Sequence, residues 1–372
     1  MELTIQRDDL LRGLQKSQSV AERRSSMPVL SNVLLEAKDQ QLHLTATNLE
    51  VSFTGSHQAE IVKEGAVTIQ ARKFYEIVKE LPFPEIRIIE KENQWVNISS
   101  GTAEYNLVGL PADDFPQIVQ YEKDVAWVEM DAHLLKEMID KTIFAVSTEE
   151  TRYNLSGIYF EKMESEDPIG LRLVATDGHR LSLIEKPLPE VAKFGFEKGI
   201  IIPRKGMQEL SRLLEEGEMV EVAFHENTAI FRIGESTLIM RLIDGDFPDY
   251  NTVIPKDCKR ILEVDRSKFM EMLKRMSIIS TDRYRGIRCK IRQENMEIIS
   301  NNPEIGDARE EIPVTYQGEE MSIAFNPRYF MESLAVMQSK VISARMIDDS
   351  SACIISGEED EGFFSVVMPM RL

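Results

Sequence analysis

One pattern occurs three times in this chain, and it constrains the fold more than any other feature. Residues 171–183 read Leu-Arg-Leu-Val-Ala-Thr-Asp-Gly-His-Arg-Leu-Ser-Leu, with apolar and polar residues alternating on either side of Thr176-Asp177-Gly178. Alternation of period two marks a half-buried strand and Asp-Gly marks a turn, so the stretch predicts two short strands meeting in a hairpin or bend. Residues 42–53 carry the same arrangement around Thr47-Asn48, and residues 296–304 carry a worn form of it around Asn301-Asn302-Pro303.

The segment after each copy repeats as well. Residues 69–78, 201–210 and 323–330 each run from an apolar strand end into a helical pattern with basic residues in its first turn. The copies are offset by roughly 125 to 130 residues, far longer than a solenoid period, so each repeat is predicted to be a whole domain. We place the boundaries at 1–122, 125–256 and 258–372.

Every repeat opens on a strand and then an amphipathic helix. Leu3 and Ile5 alternate ahead of Asp8, which is expected to cap a helix with Leu10, Leu11 and Leu14 on one face. Asp131 stands in the same place before Leu134, Leu135, Met138 and Ile139, and Asp265 before Phe269, Met272, Leu273 and Met276. The second helix of each repeat presents Phe74, Ile77, Val78 and Leu81, then Met207, Leu210, Leu213 and Leu214, then Phe330, Leu334 and Met337. Asn326-Pro327 begins the last of these, a cap followed by a proline at the first helical position. The remaining segments read as short strands. The predicted fold class is therefore α+β, with two helices and about eight short strands in each repeat.

Hydrophobic residues make up 42% of the 372, as in a folded chain with ample core. No apolar run approaches the ~18 residues that span a bilayer. The start, Met1-Glu2-Leu3-Thr4, lacks the character of a signal peptide, so a cytoplasmic location is expected. Cys258, Cys289 and Cys353 lie far apart and the histidines show no paired ligand spacing. Neither a disulfide framework nor a metal site is expected. No Walker loop or Gly-x-Gly-x-x-Gly is present, and no cofactor is expected.

The net charge of -19 argues against a nucleic-acid partner if only the sum is read. The distribution differs from the sum. The six predicted helices with their adjoining turns hold 22 Lys and Arg against 17 Asp and Glu, a net of +5, which leaves -24 on the remainder. Those basic residues read equally as solvated surface or as sequence-independent contacts to a phosphate backbone.

Four motifs now stand together: Ala-Thr-Asp-Gly-His-Arg-Leu at 175–181, Pro-Arg-Lys-Gly at 203–206, Asp-Gly-Asp-Phe-Pro-Asp-Tyr at 244–250 and Val-Met-Pro-Met-Arg-Leu at 367–372. In order and spacing they resemble the bacterial DNA polymerase sliding clamps, the beta subunits of the polymerase III holoenzyme, and the resemblance runs from Met1 to Leu372. It implies a head-to-tail homodimeric ring of six like domains, with helices lining the hole and sheets outside. Twelve helices about 10 Å across would enclose a hole of roughly 28 Å, wide enough for a hydrated duplex. The implied activity is that of a processivity factor without catalysis of its own. It encircles double-stranded DNA without reading sequence, slides, and tethers polymerases, the clamp loader and repair proteins. An acidic exterior would leave the hole as the favoured place for DNA.

The resemblance assigns residues too. DNA contacts would come from Arg24, Arg72, Tyr153 and Arg204. A groove for partner peptides of the Gln-x-x-Leu-Phe type would be built by Leu155, Thr176, Gly178, His179, Arg180 and Leu181 on one side. Pro248, Val253, Asn326 and Tyr329 would add to it, together with the terminal run Val366, Val367, Met368, Pro369, Met370, Arg371 and Leu372. Apolar members suit a buried peptide end, while His179, Arg180 and Arg371 suit its backbone or an acidic group. The subunit contact would bring Lys73 and Leu107 of the first domain against Ile278, Ile279 and acidic residues near Glu304 of the third, with Glu310 and Glu311 adding to the acidic side.

Two readings from other classes compete. Asp177 with His179 could be half of a catalytic pair, but no Ser or Cys nucleophile stands in a recognisable setting. A repeat scaffold that binds only protein is the other. Dependence on DNA topology separates a clamp from both.

Overall fold

The computed structural model describes residues 1–22, 26–118, 125–149, 151–163, 169–281 and 286–371. Helices fill the two predicted places in each repeat: α1 Arg7–Val20, α2 Ala71–Glu80, α3 Ala132–Asp140, α4 Arg204–Leu213, α5 Arg266–Ser277 and α6 Pro327–Ala335. The expected caps form at three of them. The Asp131 carboxylate accepts the Leu134 N–H (2.8 Å), Asp265 accepts that of Lys268 (2.9 Å) and Asn326 that of Arg328 (3.1 Å).

The first helix departs from expectation. It begins at Arg7, one residue ahead of the expected cap Asp8, and Gln6 in the cap position makes no side-chain bond. Strand Glu2–Gln6 pairs through Gln6 with Glu85, and the Arg7 N–H goes to the Pro84 carbonyl (2.6 Å), so the sheet satisfies what a cap would have. Asp8 and Asp9 instead occupy the first turn, where negative charge favours a helix start.

The apolar stripes bury as their spacing dictates. Leu10 and Leu14, then Leu135, Met138 and Ile139, then Phe269, Met272, Leu273 and Met276 are all in the core, while Leu11 and Leu134 remain half-buried at the margins. Burying each such side chain contributes about 1.5–3 kcal/mol.

The chain forms two compact units. The first comprises Met1–Lys136, Lys193–Glu197 and Lys205–Leu242; the second comprises Glu137–Ala192, Lys198–Arg204 and Ile243–Leu372. In the first, a five-stranded sheet orders Glu60–Lys63, Glu2–Gln6, Glu85–Glu90, Trp95–Ser100 and Ala103–Val108. Beside it a nine-stranded sheet has Val51–Gln58 of the first repeat paired antiparallel with Ser236–Arg241 of the second. The second unit is built alike. Its nine-stranded sheet pairs Arg180–Pro187 of the second repeat with Phe363–Val367 of the third, and a four-stranded sheet orders Gly306–Pro313, Asn295–Asn302, Ile287–Ile291 and Met321–Phe325. The large sheets thus join repeat to repeat, and the central repeat contributes to both units.

The three repeated stretches are antiparallel strand pairs, Gln41–Thr47 with Val51–Gln58, Gly170–Thr176 with Arg180–Pro187, and Asn295–Asn302 with Gly306–Pro313. No helix among the described residues is long and apolar enough to cross a membrane, and no group of three or more His, Cys, Asp or Glu there could hold a metal. The three cysteines are free, and burial pushes the Cys289 thiol up to about 12.

Candidate functional site

The second unit shapes a groove around the turn at residues 176–180. The Asp177 carboxylate accepts the N–H groups of His179 (2.9 Å) and Arg180 (3.1 Å). The Thr176 hydroxyl accepts the Gly178 N–H (3.1 Å) and donates to the Arg180 carbonyl (2.6 Å). Gly178 has φ +85°, where side chains are strained, and a Cβ there would lie 2.5 Å from Arg152 Nη1. Asp177 and Thr176 are therefore committed to the backbone. The catalytic-pair reading loses its geometry, because Asp177 faces Arg180 and the chain rather than the His179 ring.

Arg180 fixes the wall of the groove. It is buried, its Nε donates to Asp177 (3.1 Å), Nη1 to Glu332 and Nη2 to the Phe144 carbonyl (2.6 Å). Its guanidinium lies 5.3 Å from the Phe144 ring centroid and 4.8 Å from that of Tyr329. All three nitrogens are engaged inside the chain, so Arg180 holds the site together rather than reaching for a partner. His179 is exposed and its ring stacks on Tyr329 with centroids 6.4 Å apart.

The floor is apolar. Leu181 and Val366 are Cα partners on neighbouring strands and share one buried cluster with Val174, Leu183, Tyr250 and Ile354. Val253 and Met368 are 43% and 39% exposed. Leu155 and exposed Pro248 approach from loops tied by Asn154 Nδ2 donating to the Asp246 carbonyl (2.9 Å). The terminal run straps across: the Met368 N–H donates to the His179 carbonyl (3.0 Å) and the Met370 N–H to that of Ala324 (2.7 Å). Val367 faces away and is fully buried, and Asn326 is used as the α6 cap. Pro369 is half-buried and Arg371 exposed, while Leu372 lies outside the described residues. Next to the strap, His179, Arg180, Arg204, Asn326 and Tyr329 line a cleft of about 510 Å³.

The expected DNA residues divide between the units. Tyr153, 57% exposed, and Arg204 at the start of α4 belong to the second, and Arg72 in the first turn of α2 to the first. Arg24 lies outside the described residues. Arg204 Nε is buried with no hydrogen-bond partner among those residues. Arg72 (3.0 Å) and Lys73 (2.8 Å) both donate to Glu76, and those bonds hold its carboxyl below the usual range. A cleft of about 1140 Å³ gathers Arg72, Lys73, Lys205 and Arg212 within the first unit. Lys205 and Arg212 were not singled out from the sequence, although both lie in the basic helical tally. Cations in the first turn of α2 and α4 oppose the helix dipole by about 0.3–1 kcal/mol each, a cost that Glu76 offsets for Arg72 and Lys73.

Sequence profiles of the DNA polymerase III beta subunit match the chain in succession: the N-terminal domain at residues 1–119, the central domain at 129–249 and the C-terminal domain at 251–371. The chain belongs to the DNA polymerase III beta subunit family. The beta sliding clamp of Pseudomonas putida is 38% identical over 376 residues, and that of Escherichia coli K12 is 33% identical over 374, with 100% of both chains covered in each case. A sliding clamp from Bartonella birtlesii, solved bound to griselimycin, matches with TM-score 0.95 at 36% identity over 100% of both chains. That of Bacillus subtilis matches with TM-score 0.91 at 30% identity, covering 100% of this chain and 99% of its own. As a family member the chain is a DNA polymerase processivity factor, an accessory subunit and not an enzyme. Its three clamp domains mix helices with antiparallel sheets, and the family works as a dimeric ring with DNA and polymerase as partners.

In this clamp two of the expected subunit-contact residues, Leu107 and Glu304, lie on or beside sheet edges, while Lys73 is in α2 and Ile278 and Ile279 follow α5. Leu107 is on Ala103–Val108, the edge of the five-stranded sheet. Glu304 is exposed in the turn before Gly306–Pro313, the edge of the four-stranded sheet. Ile278, just past α5, is 77% exposed, and the Ile279 carbonyl accepts from Asn302 Nδ2 (2.8 Å). Exposed edges are templates for strand addition. Glu310 and Glu311 do not stand free: Arg275 bonds the first (3.0 Å), and Asn295 (2.7 Å) and Arg309 (3.0 Å) the second, which holds both carboxyls below the usual range.

Proposed function

We propose that this chain forms a closed head-to-tail ring of two copies, three domains from each, that slides on double-stranded DNA in the cytoplasm. The subunits would meet through the edge strand bearing Leu107, with Lys73 of α2, against Ile278 and Ile279 past α5 and the edge turn bearing Glu304. Arg24, Arg72, Tyr153 and Arg204 would touch phosphates without reading bases. The groove in the second unit would tether polymerases, the clamp loader and repair proteins by short peptides. The observation that supports this reading best is the buried Leu181–Val366 cluster with exposed Val253, Met368 and His179 about it and the terminal run strapped to the His179 carbonyl.

A fluorescent Gln-x-x-Leu-Phe peptide should bind the intact chain, and deletion of residues 370–372 or His179→Ala should weaken it at least tenfold, the scale of a hot-spot residue, while the dimer persists in sedimentation. Binding undiminished by the deletion, or a fall to monomers, would remove the groove assignment. Ring loading makes a second expectation: protein loaded on closed circular DNA should stay bound, and one double-strand cut should release it. Equal retention on circular and linear DNA would favour a scaffold or simple surface binder.

A further inference from the structure

The internal repeat supplies a reference for each position of the first unit. Leu34 pairs with Thr45, Thr45 with Thr54 and Ser52 with Ile239. In the same registers Tyr159 pairs with Val174, Val174 with Leu183 and Leu181 with Val366. Phe115-Pro116-Gln117-Ile118 holds the sequence place of Phe247-Pro248-Asp249-Tyr250.

In the second unit the corresponding registers are occupied by rings and aliphatic side chains. Tyr159 and Phe247 stack with ring centroids 4.7 Å apart, Tyr250 meets both edge-on, and Val174 and Leu183 pack with them. In the first unit Leu34 and Ile118 replace two of the three rings and Thr45 and Thr54 replace the aliphatic pair. An open pocket of about 960 Å³ lies there, with Ile239 and Phe115 in its lining.

Charge changes at the same place. Glu161 receives Arg172 Nη1 (3.4 Å) and the Tyr250 hydroxyl. Its counterpart by register is Glu36, which faces His43 as Glu161 faces Arg172. His43 turns its Nδ1 to the Ser56 hydroxyl (2.8 Å), and Ile118 has no hydroxyl to give. The exposed carboxylates of Glu36 and Asp113 line the pocket, and neither makes a hydrogen bond or ion pair among the described residues. Among the described residues the first unit has therefore kept the acid without a counterpart of either partner.

We propose that this pocket is a second docking site, for a partner protein segment that presents an aromatic ring beside an arginine or lysine. The ring fills the volume that Tyr159 and Tyr250 fill in the other unit, and the cation takes the place of Arg172 opposite Glu36, with Asp113 adding attraction at the rim. The inference rests on the registers and stands apart from what the second unit's groove binds.

Methyl NMR of the full-length protein tests it with two probes, N-acetyl-Tyr-Arg-amide and N-acetyl-Tyr-Glu-amide. The arginine probe should shift the Leu34, Ile118 and Ile239 methyls at millimolar concentration and bind about threefold tighter than the glutamate probe, as one exposed ion pair allows. Glu36→Gln should erase that preference, and Ile118→Tyr, which restores the missing ring, should abolish binding. Silent methyls, equal response to both probes, or binding that survives Ile118→Tyr overturns the proposal. So do shifts that grow with protein concentration alone, which would assign the pocket to another copy of this chain. Leu181 and Val366 methyls report the second unit's groove separately, so failure of either site is distinguishable.

Discussion

Asp360→Ala should lower the stability of the second unit by about 3–5 kcal/mol, the cost of removing one partner from a buried ion pair. The Asp360 side chain is fully buried and accepts from Lys141 Nζ (2.9 Å), Ser339 Oγ (2.6 Å) and the N–H groups of Gln338 (3.0 Å) and Ser339 (3.0 Å). Lys141 is itself only 3% exposed and sits over the Phe363 ring, so alanine would leave a buried ammonium with Glu137 as its carboxylate and orphan three other donors. Burial alone would raise the Asp360 carboxyl, but the bonds from Ser339, Lys141 and the two backbone N–H groups outweigh it and hold the carboxyl below its ordinary range. A group depressed in the folded state stabilises above its unfolded value, near pH 4, and loses that contribution as pH falls through the folded one. The gap between parent and variant in urea midpoint should therefore be full at neutral pH and shrink below about pH 4. A gap that is small would overturn the buried-pair account, and one that is constant across that range would show that the contribution does not depend on ionisation of the carboxylate.

Arg180→Met should cost about 2–3 kcal/mol and weaken the groove peptide at least tenfold. Methionine keeps much of the length of the side chain but removes the donors to Asp177, Glu332 and the Phe144 carbonyl. The stability figure is set below the fully buried limit because the Asp177 and Glu332 side chains are 18% and 26% exposed and Arg328 still bonds Glu332 (2.8 Å). Binding suffers because Arg180 lies against Tyr329, on which the His179 ring stacks, and follows His179 on the chain. Adding Glu332→Gln should recover part of the stability. Unchanged peptide affinity in a destabilised Arg180→Met would separate the Arg180 network from the groove.

Local and long-range features differ in how legible they are in the sequence, for one physical reason. The caps at Asp131, Asp265 and Asn326 and the turn at Asp177 and Gly178 close hydrogen bonds over two or three residues, so residue type and spacing make them legible. The Asp8 cap failed where the neighbouring Pro84 carbonyl and strand pairing took over the helix start, a competitor that no local window contains. Site roles split in the same way. His179, Val253 and Met368 are open to solvent as a groove requires, whereas Arg180, Asn326 and Val367 are consumed by the wall itself. Residue type alone could not separate the two groups, because a charge or an amide is equally suited to a partner inside the chain and one outside.

The threefold repeat, the helix and strand segments, the buried stripes and the family motifs are all written in periodicity and short spacing. The pairing of Ser52 with Ile239 and of Leu181 with Val366, which joins repeat to repeat, is visible in the folded chain alone. The folded chain alone also shows that Arg180 reaches Glu332 across 152 residues and Lys141 reaches Asp360 across 219. Such contacts repay the entropy of closing long loops only when whole surfaces fit together. Their choice is made by the packing of sheets and helices, which no pattern within one segment records.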